Sequence, residues 1–111
     1  MVLKIIYRGN IFLVSRAAPR LQLGRDDNND VVVMSLFASR VHARVELRDG
    51  AFFVNDQSTN GTFLMADDHS SEVQLKREEA PLAERGWLGI GRSAAQHGTH
   101  SVRYSIEEEP D

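Results

Sequence analysis

Val41-His42-Ala43-Arg44-Val45-Glu46-Leu47-Arg48-Asp49-Gly50-Ala51-Phe52-Phe53-Val54 reads as two strands joined by a tight turn. Along the first half, Val41, Ala43, Val45 and Leu47 point one way, while His42, Arg44, Glu46 and Arg48 point the other. That two-residue period belongs to a strand with one face on a core. Asp49-Gly50 is a strong two-residue hairpin turn, and Ala51 to Val54 returns from it.

The rest of the chain supplies partners for this hairpin. Val2 to Tyr7 alternates and, after a turn at Gly9-Asn10, Ile11 to Val14 completes a second hairpin. Leu21 to Leu23 is a short strand ending at Gly24, and Val31 to Val33 is β-branched and buried in character. Thr62 to Met65, Glu72 to Lys76, Trp87 to Ile90 and Ser101 to Ile106 add four more strands, and Asp67 to Ser71 is a polar loop. Arg77 to Arg85 reads as a loop or a short helix broken by Pro81. Trp87 and the phenylalanines other than Phe37 are assigned to the core. With many short strands, turn signals between them and no long helix, the pattern predicts an all-β, antiparallel sandwich. Loops of such a scaffold gather at its two ends, where binding sites usually form.

The chain has 111 residues, enough for one domain with one core. It contains no cysteine, which excludes disulfides and thiolate metal sites. No apolar run reaches the roughly 18 residues of a membrane helix, and the N-terminus lacks the layout of a signal peptide. These features predict a cytoplasmic protein without a membrane partner. The net charge is -3, which argues against a nucleic-acid track. Arg25, Arg40 and Arg44 against this acidic background suit a local anion site.

Three clusters carry the chemistry. Arg25 follows Gly24 at a strand end, and a guanidinium fork fits phosphate oxygens two at a time. Its competing role is a surface pair with Asp26 or Asp27. Ser39 offers one hydroxyl donor, and Arg40 beside it adds an N–H and a second cation; Ser39 could equally serve only its turn. His42 reads as a structural residue that ties neighbouring loops through both ring nitrogens. Asn60-Gly61 fits a hairpin turn, but an asparagine amide can also clamp a peptide backbone, with Thr59 beside it. No nucleophile sits beside a base, so no catalytic residue is assigned.

Other motifs are incomplete. Asp26-x-Asn28-x-Asp30 opens like a calcium loop, but Val31 and Phe37 stand where glycine and glutamate are needed. Gly89-Ile90-Gly91-Arg92 lacks the strand–helix unit of a dinucleotide fingerprint; it repeats Gly-Arg, with no Ser-x-x-His after it. His97 and His100 have no third metal ligand nearby in sequence. No metal and no cofactor is expected.

Together, Gly24-Arg25, Ser39-x-x-His42 and Asn60-Gly61, within Asn55 to Phe63, resemble the hallmark of the forkhead-associated (FHA) domain. The resemblance covers nearly the whole chain and assigns 1–107 to the domain and 108–111 to an acidic tail. It implies a SMAD-like β-sandwich of about eleven strands that binds phosphothreonine in extended peptides through apical loops, for signalling assembly or regulation. Carried over, Arg25, Ser39 and Arg40 contact the phosphate, and Thr59, Asn60 and Phe37 contact the peptide. Gly24, His42 and Gly61 are architectural. Phe37, two before the serine, implies an apolar preference at the third position after the phosphothreonine. Glu72 to Arg92 is similar to FHA modules attached to bacterial nucleotide cyclases. The alternative reading is an FHA-fold interaction or oligomerisation module that binds without phosphate. The sequence leaves the oligomeric state, the partner and the kinase open.

Overall fold

The computed structural model describes residues 1–68 and 71–108. Among the described residues, eleven strands follow one another without a helix: β1 (Val2–Tyr7), β2 (Asn10–Val14), β3 (Arg20–Gly24), β4 (Val31–Val32), β5 (Ala43–Arg48), β6 (Ala51–Asp56), β7 (Thr62–Ala66), β8 (Val73–Leu75), β9 (Glu79–Pro81), β10 (Arg85–Ile90) and β11 (Val102–Glu107). They form a six-stranded sheet ordered β2-β1-β11-β10-β7-β8 and a five-stranded sheet ordered β4-β3-β5-β6-β9. This is the predicted β-sandwich, with one parallel pair in it. The turn after β3 doubles back, so Val31 lies beside Leu23 and β4 runs in the same direction as β3.

The inward faces alternate as a two-residue period requires. Leu3 and Ile5 of β1, Leu23 of β3, Val45 of β5, Phe52 and Val54 of β6, Leu88 of β10 and Tyr104 of β11 are buried between the sheets. The β5–β6 turn is Asp49-Gly50, with φ of 52° and 78°. Positive φ at both positions matches the twist of the strands it joins. The β1–β2 turn falls one residue earlier than its sequence suggested. Asn10 pairs with Tyr7, and Arg8 and Gly9 take positive φ between them.

Two assignments change. Residues 79–81 form an edge strand, pairing Asn55 with Glu79 and Phe53 with Pro81. An edge position tolerates Pro81, which has no N–H to give to a further neighbour. Trp87 lies half-buried on the outer face of β10, because its neighbours Gly86 and Leu88 point inward. His97 stacks on its ring and the Arg103 guanidinium lies 5.1 Å from the ring centroid. Of the phenylalanines, Phe52 is fully buried, while Phe12, Phe53 and Phe63 are half-buried.

Among the described residues, no helix is long and apolar enough to cross a membrane. β11 ends at Glu107, and residues 109–111 of the expected tail lie outside the described residues.

Candidate functional site

The strand containing His42 begins later than the alternation implied, at Ala43. The two-residue parity therefore breaks at His42, whose side chain is fully buried rather than outward-facing. The Ser39 N–H donates to its Nδ1 at 3.0 Å. Because a backbone N–H can only donate, Nδ1 must be the unprotonated nitrogen. Nε2 then carries the proton and donates to the Gly61 carbonyl at 2.8 Å. Burial lowers the His42 pKa more than the Gly61 bond and the nearby Asp56 carboxylate raise it, so the neutral ring persists. One imidazole thus joins the loop before β5 to the loop before β7.

The β3–β4 loop is sewn to the same place. The Arg25 N–H donates to the Ser39 carbonyl at 2.9 Å, and the Asp26 N–H to the Arg40 carbonyl at 3.2 Å. These backbones approach so closely that a Cβ on Gly24 would stand 2.2 Å from the Arg40 oxygen. The buried Asn29 amide adds bonds to the carbonyls of Asp26 and Arg40. Asn29 occupies an unassigned position of the incomplete calcium motif Asp26-x-Asn28-x-Asp30, and its bonds brace the cluster.

The third segment is held by an acid. Asp56 Oδ1 accepts from the hydroxyls of Ser58 and Thr62, each at 2.6 Å, and Oδ2 accepts from the Arg77 N–H at 2.9 Å. Burial alone would push this carboxyl up; the bonds from Arg77, Ser58 and Thr62 outweigh it and hold the pKa below the ordinary value. Ser58 Oγ in turn accepts from the Gly61 N–H at 2.7 Å. Gly61 has φ of 91°. Asn60-Gly61 is no hairpin turn, since β6 and β7 belong to different sheets.

The convergence leaves specific donors at the surface. The Thr59 N–H donates to Ser39 Oγ at 3.1 Å, which occupies a lone pair and spares the hydroxyl proton. Among the described residues, the exposed Arg25 and Arg40 guanidinium groups carry no hydrogen bond or ion pair. Arg25 is therefore not paired with Asp26 or Asp27. Asn60 Nδ2 donates to the Phe37 carbonyl at 3.2 Å, leaving the amide oxygen and one N–H unused. Phe37 is 46% exposed, at the tip of a turn from Ser35 to Ala38. Its ring is not bare, because the Arg92 guanidinium carbon lies 4.8 Å from the ring centroid. Arg44 turns away to Gln22 on the outer sheet face. Ser39 meets His42 through its N–H, not its hydroxyl, so the two do not form a nucleophile–base pair.

The FHA domain family model matches residues 21–80. No curated protein matches the chain. Among solved structures, the first FHA domain of Rv1747 from Mycobacterium tuberculosis aligns with a TM-score of 0.70 at 18% identity, covering 96% of this chain and 97% of that one. A domain solved in a study of phosphothreonine-dependent FHA interactions gives 0.72 at 16% identity, covering 98% and 100%. A MEK1 FHA domain in complex with a HOP1 phosphothreonine peptide gives 0.71 at 18% identity, covering 96% and 97%. A family match over more than half of the chain, on a sandwich that follows these folds from end to end, leads to one assignment: the chain belongs to the FHA domain family.

Proposed function

We propose that this chain is a non-catalytic phosphopeptide-recognition module that holds phosphothreonine in extended peptides and serves signalling assembly or regulation. Arg25, Ser39 and Arg40 take the phosphate. Thr59, Asn60 and Phe37 take the surrounding peptide, and Gly24, His42 and Gly61 keep the loops in register. One observation supports the reading: the Arg25 N–H is bonded to the Ser39 carbonyl at 2.9 Å, so the positions that bear an unpaired guanidinium and a hydroxyl with a spare proton adjoin along the backbone. The similar MEK1 domain was solved with a phosphothreonine peptide, which supports the same ligand class here.

A phosphothreonine carries about -1.5 to -2 charges and three acceptor oxygens. Each hydrogen bond to such a charged group contributes roughly 1.5–3 kcal/mol. Two of them separate phosphorylated from plain peptide by about 3–6 kcal/mol. Burial of the threonine methyl adds only about 0.8 kcal/mol, roughly fourfold over phosphoserine.

Calorimetric titration with matched phosphothreonine, phosphoserine and unmodified peptides tests this. The expected order is phosphothreonine first, with unmodified peptide undetectable. Arg25→Ala should abolish binding while leaving the thermal unfolding transition in place. Equal affinity of Arg25→Ala and the parent chain would overturn the reading.

A further inference from the structure

Strand β2 stands at the end of the six-stranded sheet, with β1 on one side and, among the described residues, no strand on the other. The other sheet ends are blunted: β4 has two residues, β8 three, and β9 three with Pro81 among them. β2 is longer, and its Asn10-Ile11-Phe12-Leu13-Val14 holds neither a charge nor a proline. Charge, proline and shortness are what keep an edge strand from pairing with another chain, and β2 has none of them. Ile11 is 57% exposed and Leu13 54% exposed. Both lie on the outer face of the sheet, where Ile11 stands opposite Ile6 of β1.

The turn fixes which main-chain groups of β2 are free. Tyr7 and Asn10 close the two-residue turn Arg8-Gly9 and so form a hydrogen-bonded pair. Such pairs alternate along a ladder, so Ile5 with Phe12 is the next and Leu3 with Val14 the one after. Ile11 and Leu13 fall between them, with their N–H and C=O groups directed away from β1. No turn, loop or side-chain hydrogen bond reaches those groups among the described residues. This phase is self-complementary. A second β2 turned antiparallel about Phe12 sets Ile11 of each copy opposite Leu13 of the other. Both residues present outward groups, so each such pair exchanges both of its N–H···O bonds. Phe12 then meets Phe12 on the two-fold axis as a non-hydrogen-bonded pair, in which side chains approach most closely. Beside Phe12 lies a cleft of about 480 Å³, lined also by Val32 and Met34. Its charged members are Arg8 and Asp30, one of each sign, so two copies meet there without net charge.

We propose that β2 is a self-association edge: two copies of this chain pair it antiparallel about Phe12 and join their six-stranded sheets into one. The contact is isologous and uses up the edge of both copies, so assembly closes at the dimer. Its outer face gains an apolar stripe of Ile6, Ile11 and Leu13 from each copy. A seam of five residues a side is far smaller than the roughly 20–30 residues a side of a stable interface, so the dimer is weak and grows with concentration. None of the residues assigned to the phosphate lies on β2, and the proposal holds independently of that assignment.

The test is sedimentation velocity on the full chain without peptide, from about 10 μM to about 1 mM, the range in which a weak contact populates. The parent chain should move from monomer toward dimer and no further. Leu13→Lys sets a cation in each copy's half of the seam and removes the apolar contact; its dimer should dissociate about tenfold or more readily. Leu13 is exposed, so the thermal unfolding transition of this variant should stay in place. Hydrogen exchange by NMR reads the register directly. In the parent chain the Ile11 and Leu13 amides should slow as concentration rises, while the Phe12 amide, bonded to Ile5 in either state, should not change. A parent chain monomeric throughout, a dimer undiminished in Leu13→Lys, or a dimer in which the Ile11 and Leu13 amides stay fast would each overturn the proposal. Protection of those amides only on adding an extended Thr-Val peptide to a monomeric chain would overturn the second copy as occupant and give the edge to a strand of another protein.

Discussion

The Thr59 N–H donates to the Ser39 hydroxyl oxygen at 3.1 Å, so two loops twenty residues apart share one small polar atom. The hydroxyl has a single proton and two lone pairs. With a lone pair committed to Thr59, the proton is left for another acceptor, which in the proposed function is the phosphate. Ser39→Ala removes that donor and also the acceptor that steadies Thr59. Binding of the phosphothreonine peptide should weaken by roughly 1.5–3 kcal/mol, about 10- to 100-fold. Thr59 is exposed, so water can satisfy its N–H and stability should change little. Titration calorimetry beside thermal denaturation separates the two effects. A variant that loses stability but keeps affinity would show Ser39 to be a turn residue only.

Gly24→Ala should fail differently. Its added methyl would meet the Arg40 carbonyl, which is backbone and cannot swing aside. The β3–β4 loop must then move off the segment of Ser39 and Arg40. Destabilisation of about 1–3 kcal/mol is expected from overpacking of this kind. Peptide affinity should fall at temperatures where the variant is still folded, because the Arg25–Ser39 backbone bond is strained at the same time. Urea unfolding and anisotropy on the same preparation measure both. Unaltered stability would mean that the approach at Gly24 is looser than the distances indicate.

The legible parts of this chain were those with a local signature. Strands β1, β5, β6 and β11 alternate within their own length, and Asp49-Gly50 announces its turn. The three site clusters were legible because their residue types suit an anion at any spacing. What stayed hidden depends on distant partners. Glu79 to Pro81 is only three residues long and turns Ala80 alone toward the core, too short a run for alternation to betray a strand. Asn29 acts on a carbonyl eleven residues away, and Asp56 on an N–H twenty-one residues away. Neither partnership has a local pattern. His42 broke the parity of its strand because its imidazole is recruited inward to join two loops, a demand of tertiary geometry that outranks alternation.

That recruitment makes stability depend on pH. Folding lowers the His42 pKa below the ordinary 6.5, chiefly through burial. The unfolded chain therefore binds a proton in a range where the folded chain does not. The difference in bound protons is positive, and unfolding free energy rises with pH across that range. The contribution is present above about pH 6.5 and is lost as pH falls below it, with a limiting slope of about 1.4 kcal/mol per pH unit. Protonation would also place a hydrogen on Nδ1, against the Ser39 N–H, and so loosen the loop that carries Ser39. Asp56 adds a second loss in the same direction. Its folded pKa also lies below the ordinary 3.8, so its contribution is present above that value and falls away at lower pH. Urea unfolding at pH 7.5, 6.5 and 5.5 should show declining stability in the parent chain. His42→Gln keeps one acceptor and one donor but has no proton to gain, so its decline over the same interval should be shallower. Parallel curves for the two proteins would mean that the buried imidazole does not set this pH dependence.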